Sequence, residues 1–470
     1  MEEAVRTIIQ SGCGCGEDTG RQGLLDTPKR VAHAWMAMAA ADKAHEDKNG
    51  CKTNASDLIK NALFHEAILT TSPHCGFVLV RDMTFASLHR DTLLPMYGRC
   101  HVAYIPKNGT IVGLSKLSRV VSNVSVRGLQ RGEDLCAAVL EVVDSTVDCN
   151  GGVAVLVDVW EYTKYLDHCP KQSIKINHHH QKRRTYCKRT GAFADEESSA
   201  MDEVLAMLGL VHPSDPFEES NGIQEDQEVQ QYDRNNSRES ITSAVGVLLE
   251  SIGEDPTTAQ SRASAANYAS WFLDSTRGYF MSATPDMTSS ACIKIDDEKT
   301  ERNHDESVLQ SPAGASSATS ADDALGHYAV RTFAFTSQCE HHLLPFSGHF
   351  AVMFLNSSSS IDNTTLDMVD RECAYHVDRF SKRLQVQERL TQQIADAFWE
   401  GLVRMNVDGE IEDIVVVCEC KHMCMIARGV QQHCSATTTY TTRSANGSSF
   451  TGQARVKALH VLREELSDAI

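Results

Sequence analysis

The 470-residue sequence has no apolar run approaching the roughly 20 residues that a bilayer-spanning helix needs, so no membrane partner is expected. It also lacks an excess of positive charge. Against 63 Asp and Glu stand 44 Lys and Arg, a formal net charge of −19. That balance argues against nucleic acid or an anionic membrane surface as partner. No GxxxxGK[ST] loop occurs, so a P-loop does not hold any nucleotide. No signal or transit peptide is evident, because the first residues enter a helical pattern almost at once. Paired C-x2-C motifs are missing too, which weakens the reading of a structural zinc framework.

What remains is a chain with 41% hydrophobic residues, enough for real cores, and a length suited to two or three domains. Its 16 cysteines are scattered through apolar segments. A reduced cytoplasmic protein is the expectation.

The chemistry concentrates in Ser337-Gln338-Cys339-Glu340-His341-His342-Leu343-Leu344-Pro345-Phe346. A thiolate at Cys339 and an imidazole at His342 can grip one metal ion from a single turn, and the sulfur–nitrogen set favours zinc. Further on, Ile414 to Cys424 reads as a buried strand, which would put Cys420, His422 and Cys424 on one face. That face supplies a third ligand. Three protein ligands leave one zinc position open, as catalytic sites do. By spacing alone, a closed structural site or a pair of satisfied core histidines fits equally.

"SQCEHHLLPF", "LQVQERLTQQIADA" (384–397) and "HMCMIARGV" (422–430) together resemble GTP cyclohydrolase I. The resemblance covers most of 325–470 and, in degraded form, roughly 1–195. A long duplicated chain of this kind is similar to the two-domain plant form. The implied fold class is α+β: two tandem copies of an antiparallel-sheet-plus-helices domain, the tunnelling fold, with N-terminal helices in each copy. Sheets of several such domains join into a barrel, and the expected state is a homo-oligomer.

The duplication is visible in the residues. "IIQSGCGCGED" (8–18) returns as "LLESIGED" (248–255), "TLLPMYG" (92–98) as "HLLPFSG" (342–348), and "GGVAVLVDVWEYT" (151–163) as the strand ending at Cys424. The expected domains are therefore 1–195 and 241–470. Between them, 196–240 is acidic and reads as a flexible linker, in which "AMDEVLAMLGLV" could form a short helix. A Ser/Ala/Thr/Asp-rich insertion at about 284–325 reads as a disordered surface loop.

The resemblance assigns Zn2+ to Cys339, His342 and Cys424, and proton transfer to His341 and His422, which suits histidine near neutral pH. It implies GTP as substrate. In the reaction the resemblance implies, a zinc-activated water would attack C8 of guanine, formate would leave, and the ribose carbons would close a pterin ring. The product is 7,8-dihydroneopterin triphosphate, the entry to tetrahydrofolate synthesis. Gln387 and Glu388 would read the guanine edge, and Arg428 would contact phosphate. In the first copy, His89, Arg90, Asp91 and Thr92 stand where the second has Cys-Glu-His-His, and Glu161 and Thr163 stand for His422 and Cys424. Yet that copy keeps Ser115, Lys116 and Arg119, and Arg30, which the resemblance assigns to the triphosphate. The resemblance pairs Glu133 with Glu388, with Gly132 beside it in place of glutamine. The second copy lacks these phosphate motifs, with Asn267 near the position of Arg30. The losses are complementary, which implies a composite active site. The basic tract His178–Arg184 reads either as a solvated turn or as an addition to the phosphate field. Two rival readings remain: an inactive regulatory or scaffold homologue with a structural zinc, and a related zinc enzyme acting on another purine or pterin.

Overall fold

An amphipathic stripe starts the chain. In α1 (Glu2–Cys13), Ala4, Val5, Ile8 and Ile9 fall on one helical face and are buried, and Gly14 ends the helix with φ near +53°. α2 (Gln22–Leu25) and α3 (Thr27–Ala39) follow. The computed structural model describes residues 1–39, 56, 59, 63–64, 77–106, 111–112, 114–146, 151–162, 181–196, 198–209, 231–285, 327–356, 363–405, 411–427, 436–444 and 453–469.

The rest of the first copy comprises β1 (Leu63–Phe64), β2 (Val78–His89), β3 (Pro95–Tyr104), β4 (Ile111–Val112), α4 (Leu114–Ser125), β5 (Leu129–Gln130), α5 (Gly132–Thr146), β6 (Val153–Tyr162), β7 (Gln181–Arg189) and α6 (Ala200–Leu208). The second copy has α7 (Gln231–Ser251), α8 (Ala259–Ser275), β8 (His327–Cys339), β9 (Pro345–Asn356), α9 (Asn363–Ser381), β10 (Leu384–Gln385), α10 (Gln387–Met405), β11 (Asp413–His422), α11 (Met423–Ile426), β12 (Thr437–Ser444) and α12 (Gln453–Ala469).

The two main sheets have the same five-stranded order, β5-β2-β3-β6-β7 and β10-β8-β9-β11-β12. In each, only the short first strand is parallel to its neighbour, and the other pairs are antiparallel. This is the expected α+β fold in two tandem copies. Both faces of each sheet are covered, which is why β6 and β11 are near-continuous apolar runs. One face of the first sheet packs on α4 and α5, and the other takes Met201, Val204 and Leu205 of α6. The second sheet packs on α9 and α10, and on Ala458, Leu462 and Leu466 of α12.

The stretch 196–240, read from sequence as a linker, therefore contains a docked helix, and α7 begins inside it. Apolar spacing in "AMDEVLAML" outweighs the acidic composition around it. The insertion at 284–325 lies outside the described residues except for its first two positions.

A shared core joins the copies. α1, α3, α7 and α8 bury their apolar faces together, along with Leu88, Leu93, Leu94 and Tyr162 of the first copy and Leu343, Leu344, Leu384, Met423 and Ile426 of the second. The N-terminal helices reach across. Thr27 Oγ1 on α3 donates to the carbonyl of Glu340 in the second copy at 2.8 Å. Reciprocally, Ser264 Oγ on α8 donates to the carbonyl of Arg90 in the first copy at 2.7 Å.

Candidate metal centre and active site

Each β2–β3 or β8–β9 connection is a tight turn with a leucine in the left-handed region: Leu93 at φ 56° and Leu343 at φ 49°. A branched side chain rarely accepts that backbone, and such strain persists where the surroundings fix it. Here both leucines are almost fully buried in the shared core. Matching hydrogen bonds close the turns: Leu93 N to His89 O at 2.8 Å and Leu343 N to Cys339 O at 2.9 Å. The turn geometry has thus outlived the change of chemistry in the first copy.

In the second copy the turn sets Cys339 Sγ 3.7 Å from His342 Nδ1. The third member comes from elsewhere than the strand pattern implied. β11 ends at His422, and Cys424 sits in the single helical turn α11. Alternation along a strand therefore holds for Cys420 and His422 but not for Cys424. Leaving the strand swings Cys424 toward the turn, so the ligand atoms of Cys339, His342 and Cys424 all lie within 4.8 Å of one another. Two thiolates on a tetrahedral zinc with bonds of about 2.3 Å would be about 3.8 Å apart, so the donor set and spacing fit that ion. The neighbouring Cys424 thiol and burial together push the Cys339 thiol up. This is the one such three-residue group among the described residues.

His422 stacks on Phe346, ring centroids 4.6 Å apart and nearly parallel. Its Nε2 lies 3.1 Å from Gln387 Oε1 and 3.3 Å from Cys420 Sγ. Gln387 is buried and its amide is fully committed. Nε2 donates to the carbonyls of Cys418 at 3.1 Å and Thr437 at 2.9 Å, while Oε1 accepts from Thr437 Oγ1 at 2.5 Å. The Nε2–H tautomer of His422 completes that set. Burial alone would lower His422, but the Cys420 sulfur beside it wins and raises it. The Cys420 thiol is correspondingly pulled down to about 6 against its burial, by Cys418 and His422. Glu388, next on α10, is exposed and within electrostatic reach of His422. Of the pair, Gln387 faces the fold and Glu388 faces outward.

Glu340 lies between a metal-ligand candidate and His341, and it is 4% exposed. Its carboxylate receives Arg389 Nη2 at 2.5 Å and Arg21 Nη2 at 2.6 Å, the latter from the first copy. Burial would raise this carboxyl, but the two guanidinium groups hold it below the usual range. His341 Nε2 stands 3.6 Å from Glu340 Oε1. Sequence reading passed over Glu340, Arg389, Thr437, Thr27 and Arg21. The first two lie inside recognisable motifs. Nothing local marks Arg21, whose partner is 319 residues away.

Arg30 is half-buried on α3, three residues beyond Thr27 and so on the same helix face that meets Glu340. It pairs loosely with Asp26 at 3.5 Å. At the matching point of the first copy's turn, Asn267 Nδ2 donates to Asp91 O at 3.0 Å. Ser115, Lys116 and Arg119 sit on the first turns of α4, which packs on β2 and α5 within the first copy. Arg428 lies outside the described residues.

The first copy's counterpart site is knit into ion pairs. His89 Nε2 faces Glu161 Oε2 at 3.4 Å, and Arg184 and Tyr186 reach the other oxygen at 3.2 and 3.0 Å. Arg131 grips Asp91 with two hydrogen bonds, at 2.8 and 2.9 Å. Tyr186 fills the space that glutamine occupies in the second copy, and a Cβ at Gly132 would come within 2.5 Å of its ring. Glu133 pairs with Lys188 at 2.6 Å. The basic tract resolves in part: Arg183 lies on Asp158 and over Trp160, so with Arg184 it serves the sheet, while 178–180 fall outside the described residues. Thr163 is likewise outside them.

Comparison with known proteins agrees with this duplication. The family profile "GTP cyclohydrolase I" matches residues 1–205 and again 241–460. A protein named GTP cyclohydrolase 1 from Solanum lycopersicum is 29% identical over 461 residues, covering 94% of this chain and 87% of the relative. The Arabidopsis thaliana protein of the same name is 28% identical over 460 residues, 93% and 85% of the two chains. The Bacillus subtilis one is 36% identical over 156 residues, 33% of this chain and 72% of its own.

Proposed function

Since the chain belongs to the GTP cyclohydrolase I family, in its two-domain form, we propose that it converts GTP to 7,8-dihydroneopterin triphosphate and formate. The observation that carries this is the convergence of Cys339, His342 and Cys424 from a turn and a helix, with His341 and His422 beside them. Zinc, held by those three residues, would supply Lewis-acid activation of the water that adds to C8.

The chain's own residues do the rest. His422, held by Gln387 and Phe346, moves a proton at the imidazole or ribose of the substrate. His341 does the same from the turn. Glu388 accepts the N–H donors of the guanine edge, and Gln387 supports His422 from behind. Ser115, Lys116, Arg119, Arg30 and Arg428 bind the triphosphate. Arg30 comes from the first copy yet stands on the helix face that meets the second copy's turn, which supports a composite site. The protein works in the cytoplasm as a homo-oligomer. Among the described residues no helix is long and apolar enough to cross a membrane.

The test is formate release from GTP by purified protein of known zinc content. Stoichiometric formate and a fluorescent oxidised pterin are expected. Zinc without formate would favour the scaffold reading, which the departures from the family pattern in both copies motivate.

A further inference from the structure

We propose that Arg21 is a positioning residue which the first copy supplies to the second copy's active site. Together with Arg389 it clamps Glu340, and so fixes the turn that carries Cys339, His341 and His342. This rests on the reading above.

Four observations carry it. Glu340 is nearly inaccessible, so its charge needs a partner, and it has two guanidinium groups at 2.5 and 2.6 Å. Arg21 is itself held from behind by Glu17 at 2.6 Å, which Tyr279 Oη also engages. Tyr279 in turn accepts the amide of Leu384 at 3.1 Å, on the short strand that pairs with Cys339. The chain of contacts thus runs from the turn, through the other copy, to the strand that pairs beside it. Second, Thr27 binds the Glu340 carbonyl, so both ends of this residue are held from the first copy.

Third, the turn is strained at Leu343, so its shape depends on what surrounds it. Fourth, the first copy's turn carries the opposite charge at that place, on a half-exposed side chain, and takes its counterion from its own copy. Arg90 stands where Glu340 does, 3.9 Å from Asp134 on α5, and also donates to Leu129 O at 2.8 Å. Only the turn that bears the metal ligands takes its cation from the other copy. Arg21 touches no reacting atom here. It acts through Glu340, and its loss would let the turn relax by a fraction of an ångström, enough to misalign ligands and histidine.

The experiment uses the full-length zinc-loaded protein and the variants Arg21→Ala, Arg21→Lys and Gln260→Ala. Gln260 Nε2 bonds Asp91 Oδ1 at 3.0 Å, so its loss removes one side-chain contact between the copies at the first copy's turn, where Ser264 and Asn267 also reach. Arg21→Ala should lower kcat about 10- to 100-fold with KM for GTP changed less than about twofold, and Arg21→Lys should recover part of it. Zinc transfer to a chromogenic chelator should be about tenfold faster in Arg21→Ala. Gln260→Ala should match the parent in both. Unchanged kcat and chelator rate in Arg21→Ala, or equal losses in Gln260→Ala, would overturn the proposal, the latter by showing that any contact between copies serves. If the parent itself releases no formate, the functional reading fails, and the chelator rates still decide the clamp.

Discussion

Replacing Gln387 by methionine keeps the volume at a site that is 4% exposed while deleting every hydrogen bond of the amide. The structure sets the cost. Two carbonyls, Cys418 O and Thr437 O, lose a donor, and Thr437 Oγ1 and His422 Nε2 lose an acceptor. The hydroxyl can turn to Cys420 O, 3.4 Å away. Cys418 and Thr437 lie in the β11–β12 pairing, where ladder bonds persist. The group most affected is the half-buried His422 N–H, left with only the weakly accepting Cys420 sulfur at 3.3 Å, and some further loss falls on the carbonyls. An unsatisfied buried group costs about 1–3 kcal/mol, so a total of about 2–3 kcal/mol is expected. For a unit of this size that lowers Tm by about 4–10 °C. Turnover should fall by about 10- to 100-fold, because His422 loses the bond that fixes its tautomer and tilt. Gln387→Ala should cost more stability, since it adds a cavity. Scanning calorimetry and formate release on matched samples measure both effects. If Gln387→Met melts within a degree or so of the parent and turns over normally, the amide is not what holds His422.

The remaining predictions address other parts of the molecule. Cys424→Ser and His342→Ala should each abolish tight metal binding, and the parent should hold one zinc per chain by elemental analysis; two would show that the first copy was misread. Lys116→Ala should raise KM for GTP about 10- to 100-fold with zinc content unchanged, and an unaltered GTP dependence would refute the composite triphosphate site. In α9, burial and nearby Arg379 hold His376 down to about 4 against the opposing pull of Glu400. The folded state thus resists protonation that the unfolded chain accepts, so this contribution is present above about pH 6.5 and fades toward pH 4. His376→Val should flatten that part of the stability–pH curve, and denaturant titrations with an unchanged slope would contradict it. The first copy places Leu117 and Val121, both fully buried, where α9 has Glu372 and His376. Glu372→Leu with His376→Val should therefore cost less than Glu372→Leu alone, which strands a histidine and an arginine; strict additivity of the two in unfolding experiments would argue against the coupling.

The sequence by itself determined the fold and two members of the candidate metal group, because those rest on local patterns. Period-two and apolar runs marked β6 and β11, a helical pattern marked α1, and the repeated Leu-Leu-Pro turns disclosed two copies. Cys339 and His342 were legible because three residues of chain suffice to bring them together. Cys424 was picked out by motif while its strand argument failed, since β11 ends at His422 and Cys424 falls in the helical turn beyond it. Only the tertiary structure decided the rest. The buried amide of Gln387 is inward because β11 and β12 offer it carbonyls at the right height. Arg21, in a polar turn without any signature, meets Glu340 because the N-terminal helices of the two copies bury their apolar faces together and cross over in doing so. A contact between residues 319 apart follows from how two cores merge, and no window of sequence contains that information.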